Sequence, residues 1–204
     1  MPSTRRTLLI AACASWIAPA LVRPSRSWAE DPRKMPRFAG SPNAKVTAVE
    51  WYSLTCPHCA RFAMDVFPEI KAKLIDTGKV RYEFGDFPLD QLALIAAMVA
   101  RALPPERYQP FTMSLLSSQS QWAYGEGNHT EQLFARAAIA GMSRQTFDAT
   151  ITDTALRDWI LGEQKIAQDK FQVDSTPTFI VGVRKAAGEI TFDAFNQLVQ
   201  SAAS

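Results

Sequence analysis

The chain has 204 residues, of which 47% are hydrophobic and 21% are charged, and its formal net charge at pH 7 is +2. This composition is typical of one globular domain, with or without an inserted segment. A nearly neutral chain without a basic stripe has nothing to attract a phosphate backbone, so nucleic acid is excluded as a partner.

Residues 1–29 have the pattern of an export signal that is removed from the mature protein. A twin arginine at positions 5 and 6 precedes an apolar run over residues 8–20. Small side chains, those of Ser27 and Ala29, then occupy the −3 and −1 positions of a cleavage site. We therefore expect a periplasmic protein. The twin arginine favours export of the folded chain, although ordinary secretion also accepts such a signal.

Two alternatives to a cleaved signal stay open. One is a retained membrane anchor, which is disfavoured because the apolar run is shorter than the roughly 20 residues that span a bilayer. The other is lipid attachment at Cys13, which stands in a short lipoprotein-like box. Cleavage removes four arginines and no acid, so the formal net charge becomes −2 and two of the three cysteines remain.

The first element expected in the mature chain is a strand over residues 46–52, after a polar, proline-rich lead-in over residues 30–38 with little structure. The strand is apolar at almost every position, which predicts a central strand buried on both faces. Glu50 is the exception. If it is buried, its carboxyl group has a raised pKa and exchanges protons with the thiol of Cys59. The alternative is a strand-end glutamate that faces water.

Cys56-Pro57-His58-Cys59 follows this strand and precedes a helical pattern over residues 60–73. Two cysteines three positions apart at the start of a helix lie within bonding distance of each other. Unpaired N–H groups and the helix dipole stabilise the thiolate of Cys56, and a protonated His58 adds a positive charge beside it. Pro57 suits the first helical turn because it lacks an N–H and its φ is preset. The motif predicts a redox pair with Cys56 as nucleophile and Cys59 as resolving thiol.

A metal site and a structural disulfide are the alternatives for this motif. A structural zinc site needs four ligands, and outside the motif the chain offers only Cys13 and His129. A chain of this length has enough core to fold without a disulfide. Redox chemistry is therefore favoured, and neither a metal nor a cofactor is expected.

The pattern after the motif predicts a βαβ unit. The helix is expected to kink at Pro68 and to end at Gly78. Alternating residues over 79–84 then predict a second strand. This spacing gives two parallel strands with a right-handed crossover.

Residues 88–171 predict an inserted helical subdomain of five helices. The first two cover residues 89–103 and 106–116. The other three are predicted from their capping residues, Thr130, Ser143 and Asp153.

The sheet resumes over residues 174–182, where Pro177 enters a strand at a point that tolerates a cis bond. Residues 185–190 predict a hairpin partner, and Thr191 caps the last helix. The chain is therefore expected to be α/β. Its expected division is a first half over residues 30–87, the insertion over 88–171 and a second half over 172–204.

Three motifs together resemble the DsbA family of exported thiol–disulfide oxidoreductases, which have a thioredoxin-like fold with a helical insertion. They are Glu50-Trp51-Tyr52, the CPHC tetrapeptide and Thr176-Pro177-Thr178-Phe179. The resemblance covers residues 38–200. It implies that Pro177 is cis and lies against the cysteines, that Thr176 offers its backbone to an extended substrate peptide, and that Glu50 is buried near Cys59. Threonine at position 176 replaces the valine of the best-known member, which implies a different redox potential and partner preference.

The resemblance also implies a function. It predicts a disulfide oxidase that acts on reduced or unfolded exported proteins as a monomer and is reoxidised by a quinone-linked membrane partner similar to DsbB. The alternatives are a disulfide isomerase or reductase of the same fold, and a copper- or zinc-binding protein that uses the CxxC motif.

Overall fold

The computed structural model describes residues 30–203. The expected export signal over residues 1–29, together with its alternatives, lies outside these described residues. Within residues 30–203, no helix combines the length and the apolar character that crossing a membrane requires.

A five-stranded mixed sheet forms the centre of the fold. Its strands are β1 (Arg37–Ala39), β2 (Val46–Tyr52), β3 (Val80–Asp86), β4 (Thr178–Val181) and β5 (Arg184–Ala187), in the spatial order β1-β3-β2-β4-β5. β2 runs parallel to β3 and antiparallel to β4, which confirms it as the central strand. Its central position explains its apolar sequence, since six of its seven residues are buried or half-buried.

The helix after the cysteine motif is interrupted close to the predicted position. α1 (Pro57–Asp65) ends three residues before Pro68, and the chain continues as α2 (Phe67–Ile70) and a π-helical turn (Lys71–Ile75). Pro68 has no N–H to continue the ladder, and its ring would collide with the carbonyl four residues earlier. The segment ends at Gly78, which has a φ of +75° and so fits the predicted left-handed stop.

The chain between β3 and β4 is helical, as predicted, but forms six helices instead of five. They are α3 (Gln91–Ala102), α4 (Pro105–Ser117), α5 (Gln119–Trp122), α6 (His129–Ile139), α7 (Arg144–Ile151) and α8 (Thr154–Phe171). None of the five predicted helices covers α5. Asn128 caps α6 by accepting from the N–H groups of Thr130 and Glu131, so the prediction that Thr130 caps it is wrong. Ser143 and Asp153 cap α7 and α8 as predicted.

The lead-in over residues 30–38 is more ordered than expected. It contains a 3-10 turn (Pro32–Lys34) and the start of β1, which pairs antiparallel with β3 at the edge of the sheet. Arg37 of β1 is buried and donates a hydrogen bond from Nη2 to the carbonyl of Arg101 at 3.1 Å. A three-residue strand has no alternating apolar pattern, so contacts distant in sequence place it.

The last helix, α9 (Phe192–Ala203), packs against α2, β2 and β4. The hydroxyl of Thr191 accepts from the N–H of Ala194 at 3.2 Å, which confirms the predicted cap. The ring of Phe179 on β4 lies 4.6 Å from that of Phe62 on α1 and 5.9 Å from that of Phe195 on α9, measured between centroids. These rings join the cysteine-bearing helix to the second half of the sheet.

A buried polar network joins the sheet to the helical region. Asp86, at the end of β3, accepts hydrogen bonds from Nε of Arg101 on α3 and, at 3.0 Å, from the hydroxyl of Tyr108 on α4. The Tyr108 hydroxyl also lies 2.8 Å from that of Tyr52 on β2. Breaking a buried ion pair leaves an uncompensated charge in the interior, which is strongly destabilising. This network therefore holds α3 and α4 against the sheet.

Candidate active site

The two cysteines lie where the central strand passes into a helix. β2 ends at Tyr52, a three-residue loop follows, and Cys56 is the N-cap of α1 with an extended backbone. The carbonyl of Cys56 accepts the first helical hydrogen bond, from the N–H of Ala60 at 3.1 Å. Both Cys56 and Cys59 are free thiols and buried, with residue exposures of 4% and 0%. The N-terminal position of Cys56 directs unpaired N–H groups at its sulfur.

The two thiols have opposite acidities. The pKa of Cys56 is lowered to about 5, mainly by a hydrogen bond from Cys59. The Thr176 side chain and the N–H groups of Cys59 and His58 also lower it, whereas burial acts in the opposite direction. Burial raises the pKa of Cys59 well above its ordinary value. At neutral pH the pair therefore holds one thiolate, on Cys56, and one thiol, on Cys59. In such an asymmetric pair, Cys56 is the nucleophile and Cys59 is the resolving thiol.

Thr176 and Pro177 lie directly against the first cysteine. When it is protonated, the thiol of Cys56 donates to the carbonyl of Thr176 across 3.3 Å, and the peptide bond between Thr176 and Pro177 is cis. The hydroxyl of Thr176 is buried and has no hydrogen-bond partner of ordinary geometry within residues 30–203. The Thr176 side chain is also among the groups that lower the pKa of Cys56.

Glu50 lies on β2, buried behind the cysteines. Its residue exposure is 3%, and the hydroxyl of Tyr82 on β3 donates to its Oε2 at 2.7 Å. Burial is the main cause that raises the pKa of Glu50 to about 7; the Tyr82 hydrogen bond acts against this rise, and the charge of Cys56 adds to it. The expectation of a buried acid with a raised pKa is confirmed, and the alternative of a water-facing glutamate is wrong. Its charge also acts on the pKa of Cys59.

The other two residues of the motif lie at the exposed rim. Pro57 occupies the first helical position of α1, as predicted, and the side chain of His58 is 60% exposed. The His58 ring contacts Glu189 through Nδ1 and lies 2.7 Å from Nη2 of Arg61. No sequence motif predicts a role for Glu189 or Arg61.

Side chains from the helical region hold the loop that carries the nucleophile, and the sequence analysis missed them. The amide of Gln119 donates to the carbonyls of Leu54 at 2.8 Å and Cys56 at 3.0 Å. The hydroxyl of Tyr124 donates to the carbonyl of Thr55 between them. Three successive carbonyls thus have donors from α5 and the turn after it. Nothing in the sequence pattern predicts these contacts, since their partners are more than sixty positions apart.

The donors for a metal site are not assembled in the described part of the chain. Within residues 30–203, no group of three or more histidine, cysteine or carboxylate side chains lies close enough together to hold a metal ion. Cys56, Cys59 and His58 therefore do not converge as such a group, and a structural zinc site needs four ligands.

Comparison with known proteins gives a consistent result. A family model described as thioredoxin matches residues 33–201. The crystal structure of alpha-DsbA1 from Wolbachia pipientis is 30% identical, with a TM-score of 0.75 over 82% of this chain and 90% of that one. Oxidised BdbD from Bacillus subtilis, 20% identical, has the same fold, with a TM-score of 0.73 over 82% of this chain and 92% of that one. These likenesses confirm the thioredoxin-like fold.

Curated relatives agree with this comparison. A Rickettsia felis protein with the provisional name of protein-disulfide oxidoreductase is 28% identical over 165 residues, which are 80% of this chain and 58% of that protein. The chain thus spans 58% of the length of this curated relative. Disulfide bond formation protein D of Bacillus subtilis is 22% identical over 79% of this chain and 74% of its own length.

Proposed function

Because the chain belongs to the thioredoxin family, among its DsbA-like members, we propose that it is a thiol–disulfide oxidoreductase that works as an oxidase. The observation that carries this proposal is the opposite acidity of the two thiols, with the pKa of Cys56 lowered to about 5 and that of Cys59 raised. Stabilising a thiolate stabilises the reduced protein, so the disulfide form becomes a strong oxidant.

The proposed reaction starts from the Cys56–Cys59 disulfide. A substrate thiolate attacks Sγ of Cys56, the bond to Cys59 breaks, and its electron pair leaves on the Cys59 sulfur. A second substrate thiolate then attacks the substrate sulfur of the mixed disulfide and expels Cys56 as a thiolate. The substrate has lost two electrons to the enzyme, whose cysteines are now both reduced.

Glu50 supplies the proton that this sequence needs. The leaving Cys59 sulfur takes up a proton because burial raises the pKa of its thiol. Glu50 is buried nearby and its pKa of about 7 leaves it partly protonated at neutral pH. We therefore assign Glu50 as the general acid and base behind the pair.

The remaining residues bind the substrate and stabilise the thiolate. Thr176 presents its backbone to an extended substrate segment, and Pro177 keeps that backbone against Cys56. Pro57 starts the helix whose N–H groups face the sulfur, and His58 contributes a backbone donor to it.

The proposal also includes where the protein works and which partners it has. We infer a periplasmic monomer, exported by the signal over residues 1–29 with its twin arginine, that oxidises reduced exported proteins and is regenerated by a quinone-linked membrane partner similar to DsbB. The helical segment over residues 88–171 acts as one unit beside the thioredoxin-like halves over residues 30–87 and 172–204.

Replacing each cysteine in turn tests the proposed roles. Cys56→Ser should abolish oxidation of a reduced substrate protein, because it removes the sulfur that the substrate attacks. Cys59→Ser should also lose turnover but should accumulate a mixed disulfide at Cys56, visible as a mass increase after incubation with a disulfide reagent. If Cys56→Ser oxidised the substrate as fast as the unmodified protein does, Cys56 would not be the sulfur that the substrate attacks.

A further inference from the structure

The helix that begins at the nucleophile has an unusual charge arrangement. Its N-terminal half carries the basic residues His58 and Arg61, and its one acid, Asp65, is the last residue of the helix. Helix N-termini ordinarily favour acidic side chains and disfavour cations. An acid at this end would repel a thiolate on Cys56, whereas a cation attracts it. The arrangement therefore fits a helix that stabilises a negative sulfur.

One acidic side chain reaches this rim from a distant part of the chain. Glu189, two residues beyond β5, accepts from Arg61 through Nη2 at 2.5 Å and Nε at 3.0 Å, and it contacts Nδ1 of His58. The side chains of Arg61 and Glu189 are 51% and 35% exposed, so the pair lies at the mouth of the site and not in the core. Glu189 is thus an anion held against Arg61 and the His58 ring, in the first turns of the helix that begins at Cys56.

The Cys56 thiolate and Glu189 attract the same guanidinium. Both negative groups raise the pKa of Arg61, the hydrogen bond that Glu189 accepts more strongly than the charge of Cys56. The guanidinium stays charged at any working pH, so its effect on the sulfur does not depend on its own titration. The thiolate exists only in the reduced protein, since the disulfide carries no charge. A charge near the sulfur therefore shifts the equilibrium between the two redox forms.

We propose that Arg61 and Glu189 are opposing positioning residues that set the oxidising strength of the Cys56–Cys59 pair. Arg61 favours the reduced form by attracting the thiolate. Glu189 opposes it, by holding Arg61 and by adding a negative charge at the mouth of the site. The inference rests on the proposed redox function and deepens it, because it names two residues outside the motif that tune its equilibrium.

The test is the equilibrium of each variant with reduced and oxidised glutathione. Exposed charge pairs change equilibria by roughly 1.5- to 5-fold, so Glu189→Gln should shift the protein about threefold toward the reduced form. Arg61→Gln should shift it about threefold toward the oxidised form. Both shifts should shrink at about 1 M salt, where the screening length falls to about 3 Å. Asp193→Asn, an exposed acid on the neighbouring α9, is the matched control and should leave the equilibrium unchanged.

Each result supports or overturns the proposal. If Glu189 only holds the segment after β5 against α1, Glu189→Gln lowers the stability of the oxidised and the reduced protein equally. The equilibrium with glutathione then stays unchanged. A shift of Glu189→Gln toward the oxidised form would mean that Glu189 favours the thiolate by holding Arg61 and His58 in place, which also overturns the proposal. The glutathione equilibrium is measurable whether the protein works as an oxidase or a reductase. A low potential of the unchanged protein would therefore contradict the proposed direction and leave the charge shifts standing.

Discussion

Replacement of Glu50 by glutamine should stabilise the reduced protein at alkaline pH and not at acid pH. Burial raises the pKa of Glu50 from near 4.5 to about 7, so the folded state keeps its proton over a range in which the unfolded state releases it. Stability therefore falls as pH rises through this range, and the loss is complete above pH 7. Between pH 5 and pH 8 it amounts to about 2–3 kcal/mol. A glutamine does not titrate, and its carbonyl still accepts the Tyr82 hydroxyl.

The measurement is denaturant unfolding of both proteins at pH 5 and pH 8 with excess reductant. The difference in free energy of unfolding, variant minus original, should increase by about 2–3 kcal/mol from the lower to the higher pH. Glu126→Gln changes an exposed glutamate and should show no such increase. A Glu50→Gln variant whose relative stability is the same at both pH values would refute the buried, protonated glutamate and its role as proton donor.

Three further substitutions test separate contacts of the site and fold. Thr176→Val removes the buried hydroxyl beside Cys56, so the pKa of that thiol should rise from about 5 toward its ordinary value in a titration followed by thiolate absorbance. Gln119→Met leaves two carbonyls of the active-site loop without their side-chain donor and should lower the free energy of unfolding by about 2 kcal/mol, against less than about 0.5 for the exposed Gln121→Met. Asp86→Asn breaks a buried ion pair and should cost about 3–5 kcal/mol in the same unfolding experiment.

Each of the three has a result that contradicts its reasoning. An unchanged pKa of Cys56 in Thr176→Val would mean that the hydroxyl points away from the sulfur. Equal losses in Gln119→Met and Gln121→Met would remove the special role of the buried amide. A loss below about 1 kcal/mol in Asp86→Asn would place that ion pair among solvent-screened pairs, despite its burial.

Much of the fold follows from local pattern. The largely apolar sequence of β2 requires cover on both faces, and that requirement also places Glu50 in the interior. The cysteine motif starts a helix because Cys56 and Pro57 suit its first positions. Asp153 and Ser143 are capping residues directly before apolar periodicity, so the starts of α7 and α8 were predictable as well.

The rest depends on contacts that no local pattern contains. Gln119 and Tyr124 reach the cysteine loop across 63 to 69 positions, and Glu189 reaches Arg61 across 128. The cap of α6 was misplaced because Asn128 and Thr130 both have side chains that cap helices, and only the backbone geometry decides between them. Such polar contacts are set by the packed fold, and sequence spacing does not reveal them.

The measurement that tests the central claim most directly is the redox potential of the Cys56–Cys59 pair against glutathione. A stabilised Cys56 thiolate predicts a strongly oxidising pair, with a potential well above the roughly −270 mV typical of thioredoxin-type reductants and near or above about −200 mV. A potential close to about −270 mV would contradict the oxidase assignment. The protein would then be a reductant or isomerase that needs an electron supply.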